Sequence, residues 1–302
     1  MSSVNNTTAA NCASCGKEGG NLNMCNKCKT VKYCNAACKK KHRSKHKKAC
    51  ERRVAELHDE ELFKEHPPSE ECPICFLPLP LDNSQTTFNP CCGKRICSGC
   101  IYAMKKEARG RGKISLCAFC REPNPSSDEE IITQTKKLME AGNAHAFYNL
   151  AGCYAAGDKG MPQDFEKANE LWLRAGELGR AEGYCKLGFS YVKGYGVQVD
   201  KNKATHFLEL AAKNGSVHAR HNLGYMDQEA GDNTRAFKHF LLAARAGYKD
   251  SLDQVKVGFV HGIVTKDEYE NALRAYQSRQ DLMKSDDRDK VWAHINDGVM
   301  MV

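Results

Sequence analysis

Fifteen of the chain's 17 cysteines lie between Cys12 and Cys120, and they are grouped rather than scattered. Cys12-x-x-Cys15, Cys25-x-x-Cys28, Cys34-x-x-x-Cys38 and His46-x-x-x-Cys50 form four pairs in the first fifty residues. Cys72-x-x-Cys75, the adjacent Cys91 and Cys92, Cys97-x-x-Cys100 and Cys117-x-x-Cys120 form four more. A C-x-x-C knuckle aims two sulfurs at one ion, and ligands four residues apart share one face of a helical turn. Eight ligands in a block suffice for two tetrahedral zinc ions, so two blocks give an expectation of four. The second site of the second block is open between two arrangements. Either Cys91 and Cys92 share a turn, helped by Pro90 and Gly93, and both bind, or the site is degenerate.

The opening "MSSVNNTTAAN" has no secretory pattern, and no apolar run is long enough to span a membrane. The expectation is a cytoplasmic or nuclear protein, not secreted, in which thiols bind metal rather than oxidise. The formal charge of +8 counts every cysteine as neutral. Four divalent ions on fifteen thiolates and one histidine carry −7, which leaves the loaded protein near +1, by rough count. Nine lysines and arginines between Lys39 and Arg53, against one glutamate, read as a solvated helix face beside those thiolates. Nucleic acid is therefore disfavoured as a partner.

The segment "CKTVKYCNAACKKKHRSKHKKAC", with the pairs before it, resembles the MYND finger. The resemblance implies interleaved sites: Cys12, Cys15, Cys34 and Cys38 on one zinc, and Cys25, Cys28, His46 and Cys50 on the other. It also implies binding of proline-rich or extended peptides, although Arg43 stands where the family usually has tryptophan. His42 is a weaker ligand candidate, read as a surface residue.

"ECPICFLPLPL" through Cys120 resembles a RING finger of the all-cysteine type, with Lys94 where a histidine is usual. A lysine ammonium has no lone pair for zinc. The resemblance implies that Cys72, Cys75, Cys97 and Cys100 hold one zinc, and that Cys91, Cys92, Cys117 and Cys120 hold the other. It further implies docking of a ubiquitin-conjugating enzyme through Ile74, Ile101 and Met104, with the Arg121 cation bridging enzyme and ubiquitin. Such fingers have no catalytic nucleophile and act by positioning. Ala118 departs from the proline common at its position.

After residue 130 the chain repeats itself. Gly142, Gly179, Gly215 and Gly247 recur at intervals of 37, 36 and 32, each followed eight residues later by Leu150, Leu187, Leu223 or Val255. Asp164, Asp200 and Asp232 are N-cap residues for second helices, which carry the alanine pairs Ala168/Ala175, Ala204/Ala211 and Ala236/Ala243. Trp172, Leu208 and Phe240 fall between them. Stacked helical hairpins with small residues at the crossings are the expectation. "LGFSYVKGYGVQVDKNKATHFLELAAKNG" resembles Sel-1-like repeats, relatives of the tetratricopeptide repeat, whose groove binds peptides or proteins. Cys153 and Cys185 read as small core residues, and His218 and His221 as surface positions.

The expected fold class is thus two small cross-braced α+β zinc fingers followed by an all-α helical-hairpin solenoid. The expected order is a disordered N-terminus (1–11), a MYND finger (12–50), a helical linker (51–69) and a RING-like finger (70–122). A linker (123–134), Sel-1-like repeats with a capping helix from Thr265 (135–284) and a mobile tail (285–302) follow. Two functions stay open: a RING-type ubiquitin ligase whose other modules bind substrate, and a non-catalytic scaffold for protein–protein interaction.

Overall fold

The structure, a computed structural model, describes residues 11–19, 21–66, 70–110 and 116–296. The expected disorder at residues 1–10, the last part of the 51–69 linker and the end of the tail lie outside them. The chain forms two compact units, Met1–Lys64 and Glu65–Val302.

In the first unit a two-stranded antiparallel hairpin, β1 (Asn23–Met24) and β2 (Lys32–Tyr33), precedes a 27-residue helix, α1 (Ala36–Leu62). Asn35 caps α1 by accepting from the Cys38 N–H at 2.8 Å, which fixes the helix start beside Cys34 and Cys38. The expected linker helix is the continuation of α1. The lysines and arginines from Lys39 onward lie on its solvated side.

The second unit opens with another hairpin, β3 (Thr86–Asn89) and β4 (Lys94–Cys97), which leads directly into α2 (Ser98–Gly110). Eight further helices of 12 or 13 residues then stack in sequence. They are α3 (Asp128–Glu140), α4 (Ala144–Ala156), α5 (Phe165–Glu177), α6 (Ala181–Lys193), α7 (Lys201–Lys213), α8 (Val217–Glu229), α9 (Asn233–Arg245) and α10 (Lys249–Val260). Asp164, Asp200 and Asp232 each accept a backbone N–H as N-caps of α5, α7 and α9. The alanines and Leu208 and Phe240 are buried at the crossings. A Cβ placed on Gly224 of α8 would stand 2.5 Å from the Phe240 ring, and one on Gly258 of α10 2.2 Å from the Phe237 ring. Helix α11 (Lys266–Met283) closes the stack, and Thr265 and Glu268 form its capping box.

Three sequence expectations need correction. Residues 285–302 are not simply a mobile tail: Asp286–Asn296 form α12, whose Val291 is buried and which lies on α2. The approach is possible because Gly99 has no side chain; a Cβ there would stand 2.7 Å from Arg288 Cγ. The 123–134 linker is largely α3, capped by Ser127 and seated through buried Ile132. His221 is not a surface residue: it is buried against Tyr225, Phe240 and Tyr248, and its Nδ1 is 2.8 Å from Ser251 Oγ.

Candidate metal centres

The sixteen expected ligands come together in four groups of four, and within each group all ligand atoms lie within 4.8 Å of one another. The groups are Cys12, Cys15, Cys34, Cys38; Cys25, Cys28, His46, Cys50; Cys72, Cys75, Cys97, Cys100; and Cys91, Cys92, Cys117, Cys120. Four sulfurs about 2.3 Å from one tetrahedral zinc stand roughly 3.8 Å apart, by simple geometry. Cys15–Cys34 at 3.7 Å, Cys75–Cys97 at 3.8 Å and Cys92–Cys117 at 3.8 Å meet that spacing. Cys25–Cys50 and Cys72–Cys100 at 3.9 Å do so as well. A disulfide needs about 2.05 Å, and all 17 cysteines are free thiols. The donor sets fit zinc in number, chemistry and spacing. The cysteine-rich N-terminal part of the chain is a zinc-binding region.

Local structure explains each placement. His46 and Cys50 lie one turn apart on α1, and His46 Nε2 comes 3.2 Å from Cys28 Sγ. His42 stays outside the group: its Nδ1 lies 3.2 Å from the Tyr33 hydroxyl, and its ring stacks on His46. In the second block Cys97 ends β4 and Cys100 lies in the first turn of α2, so one hairpin-to-helix junction supplies two sulfurs. The adjacent Cys91 and Cys92 share a tight turn. The N–H groups of Cys92 and Gly93 both donate to the Asn89 carbonyl, at 3.3 and 2.8 Å, and Gly93 takes φ +70°. That turn brings Cys91 Sγ to 3.5 Å from Cys120 while Cys92 faces Cys117. Lys94 points its ammonium over the Phe119 ring instead.

Crowded thiols resist ionising together. In the third group the Cys97 thiol and nearby backbone N–H groups hold Cys72 down at about 4, while the Cys72 thiolate and burial drive Cys97 upward. In the fourth group burial and then Cys117 push Cys91 upward, and burial lifts Cys92 to about 11. A divalent cation removes this conflict, because every thiolate then faces positive charge.

Two contacts that the motifs do not signal tie the second finger to the repeats within the same unit. Arg288 of α12 donates from Nη1 to the carbonyls of Pro78 (2.8 Å) and Met283 (3.0 Å), and from Nη2 to Cys75 Sγ (3.4 Å). At the other end Glu70 accepts from Arg180, which starts α6, and from Arg95 of β4 at 3.0 Å; His145 Nε2 stands 3.8 Å away. Burial opposes the Glu70 charge, but Arg180, His145 and Arg95 outweigh it and hold its carboxyl below the usual range. Arg180 and Glu70 lie 110 residues apart, and Arg288 and Cys75 213, so no local pattern announces these two ties.

The expected docking residues lie on the second finger. Ile74, Ile101 and Met104 are partly buried against Cys72, Leu79, Ile96, Cys97 and Ala118. Ile101, Met104 and Ala118 also line a cleft of about 660 Å³ whose far wall includes Ile131, Ile132 and Leu150 of α3 and α4. Arg121 is exposed, in a left-handed conformation with φ +66°.

Residues 12–50 match the MYND finger, and residues 144–179, 181–216 and 217–248 match the Sel1 repeat. The chain thus carries a MYND finger and a Sel1 repeat solenoid. Among curated proteins it is 34% identical over 88 residues to the ERAD-associated E3 ubiquitin-protein ligase component HRD3B of Arabidopsis thaliana, covering 29% of this chain and 13% of that protein. It is 44% identical over 55 residues to the E3 ubiquitin-protein ligase DA2 of the same plant, covering 18% and 12%. The match therefore spans only about an eighth of each relative's length. A Sel1 repeat protein from Oxalobacter formigenes is similar over 61% of this chain and 70% of its own, at 22% identity and a TM-score of 0.46.

Proposed function

We propose that this is a zinc-loaded RING-type ubiquitin ligase whose repeats and MYND finger hold substrate or partner proteins. The carrying observation is the interleaving in residues 70–122. One group joins the Cys72/Cys75 knuckle to the β4–α2 junction, and the other joins the Cys91–Cys92 turn to the Cys117/Cys120 knuckle. Four zinc ions fill the four groups, and Cys91 replaces the missing histidine. The names of the two plant relatives agree with a role in ubiquitin transfer. The finger itself has no nucleophile to offer; it positions a charged conjugating enzyme against Ile74, Ile101 and Met104, while Arg121 steadies the ubiquitin. The repeat groove takes a peptide or protein, the MYND finger takes a proline-rich segment, and the protein works in cytoplasm or nucleus.

A second reading rests on the cleft. Met104 and Ala118 face α3 and α4 across it, so the repeats narrow the approach to that part of the finger. A partner-binding scaffold without transfer activity would tolerate such a wall. The deciding experiment is ubiquitin discharge from a panel of charged conjugating enzymes by zinc-loaded protein, with Ile74→Ala and Arg121→Ala. Acceleration that both substitutions reduce by about tenfold or more is the expected result for a positioning residue. No acceleration across the panel sinks the ligase reading and leaves the scaffold.

A further inference from the structure

The second unit buries cationic side chains where no zinc chemistry needs them. A small cavity of about 150 Å³ is lined by Arg220 of α8, Arg245 of α9 and Arg279 of α11, together with His66 and Glu65. Arg220 and Arg279 are 4% and 8% exposed, so both are more than nine-tenths buried. Arg245 gives one N–H to Glu65 Oε1 at 3.1 Å. Arg279 receives no such relief: its Nη1 is buried and has no hydrogen-bond partner among the described residues. Three guanidinium groups thus share one cavity with one carboxylate, and that carboxylate stands largely in solvent.

A buried guanidinium without an anion is costly, because lost hydration is not replaced. The fold nevertheless forces Arg279 into place: its Cγ lies 2.8 Å from where a Cβ on Gly247 would stand, so the glycine makes room for it. Planar guanidinium groups bind oxyanions through two parallel N–H bonds, and the orphan Nη1 is a donor waiting for such an acceptor. The apolar lining, Leu81, Val217 and Leu242, would strengthen that bond by lowering the local dielectric. The volume admits one oxyanion group and no nucleotide.

We infer that this cavity binds a single oxyanion, a phosphate monoester or carboxylate, either free or carried by a protein held on the repeats. The site uses none of the zinc ligands and is separate from any transfer activity.

The test titrates full-length, zinc-loaded protein with inorganic phosphate at constant ionic strength, read by calorimetry. Wild type should bind one equivalent saturably. Arg279→Gln should weaken binding by about tenfold or more, the usual worth of a charge-assisted contact. Arg274→Gln, an exposed arginine on the same helix, should not. Because Arg279→Gln alters a buried position, Arg245→Gln at the rim provides a second variant, expected to lose affinity likewise. Without anion, Arg279→Met should melt no lower than wild type, since it removes an uncompensated charge. Peptides carrying one phosphoserine, one glutamate or neither then separate the sources. Tighter binding of an anionic peptide than of phosphate assigns the group to a protein partner, and weaker binding assigns it to the free ion. Absence of saturable phosphate and peptide binding, or binding that both arginine variants leave unchanged, overturns the inference.

Discussion

Single residues decide whether the fourth metal group is complete. Cys91 stands at the turn made by Asn89 and Gly93, 3.5 Å from Cys120, and Lys94 has turned away to Phe119. If Cys91 is a ligand, Cys91→Ser lowers the zinc count in native mass spectrometry from four to three, and a wild-type count of three refutes it. His145 offers a test of a different kind. Burial and the neighbouring Arg180 hold it down at about 4, so it is neutral in the fold at neutral pH. Below its ordinary value of about 6.5 the unfolded chain takes up a proton that the folded chain refuses, and stability falls as pH drops toward 4. His145→Gln removes that uptake. Its melting temperature should therefore depend less on pH between 6.5 and 5 than that of wild type, measured at equal zinc loading.

At the scale of elements, hairpins of the solenoid lock through a ring set against a glycine. Phe240 is fully buried on α9, over Gly224 of α8, and contacts Phe237 and Tyr225. Phe240→Ala should cost about 3–5 kcal/mol, the usual penalty for emptying a buried aromatic site. Thermal or denaturant unfolding checks this, and a loss below about 1 kcal/mol would mean that the hairpins close over the space. Much of this layer could be read from the chain alone. Asp164, Asp200 and Asp232 cap the helices at the expected residues, and Thr265 and Glu268 form the expected box. Caps and hairpin crossings use neighbours a few residues or one repeat away, so their signals are periodic. His221 escaped that logic because its partner, Ser251, comes from the next hairpin and leaves no polar pattern on α8. Helix α12 escaped it because what it covers, Gly99, lies far back in the chain.

The whole second unit depends on such remote pairs. The finger is held near Glu70 by the start of α6 and near Cys75 by Arg288 of α12. Sequence spacing revealed the cysteine groups, whose pairs are local, but not these two ties, which join isolated charged residues. An N–H donor on a metal-bound sulfur orients it and offsets its charge. If zinc occupies the third group, Arg288→Ala should speed its loss to a chelator by about tenfold, the lower end for such outer contacts. The groups of the first unit should release zinc at the wild-type rate. Equal release from the third group in both proteins would reduce Arg288 to a packing residue.

The Arg288 contact also orders events in time. The last cysteine of the third group is Cys100, yet the guanidinium that steadies Cys75 is made nearly two hundred residues later. At translation rates of roughly 5–20 residues per second, about 10 to 40 seconds separate the two. If zinc fills the third group, the metal cross-links the nascent finger through an interval in which this outer brace does not yet exist. On that reading, zinc supplied during synthesis should raise the yield of native chain more than the same zinc supplied afterwards.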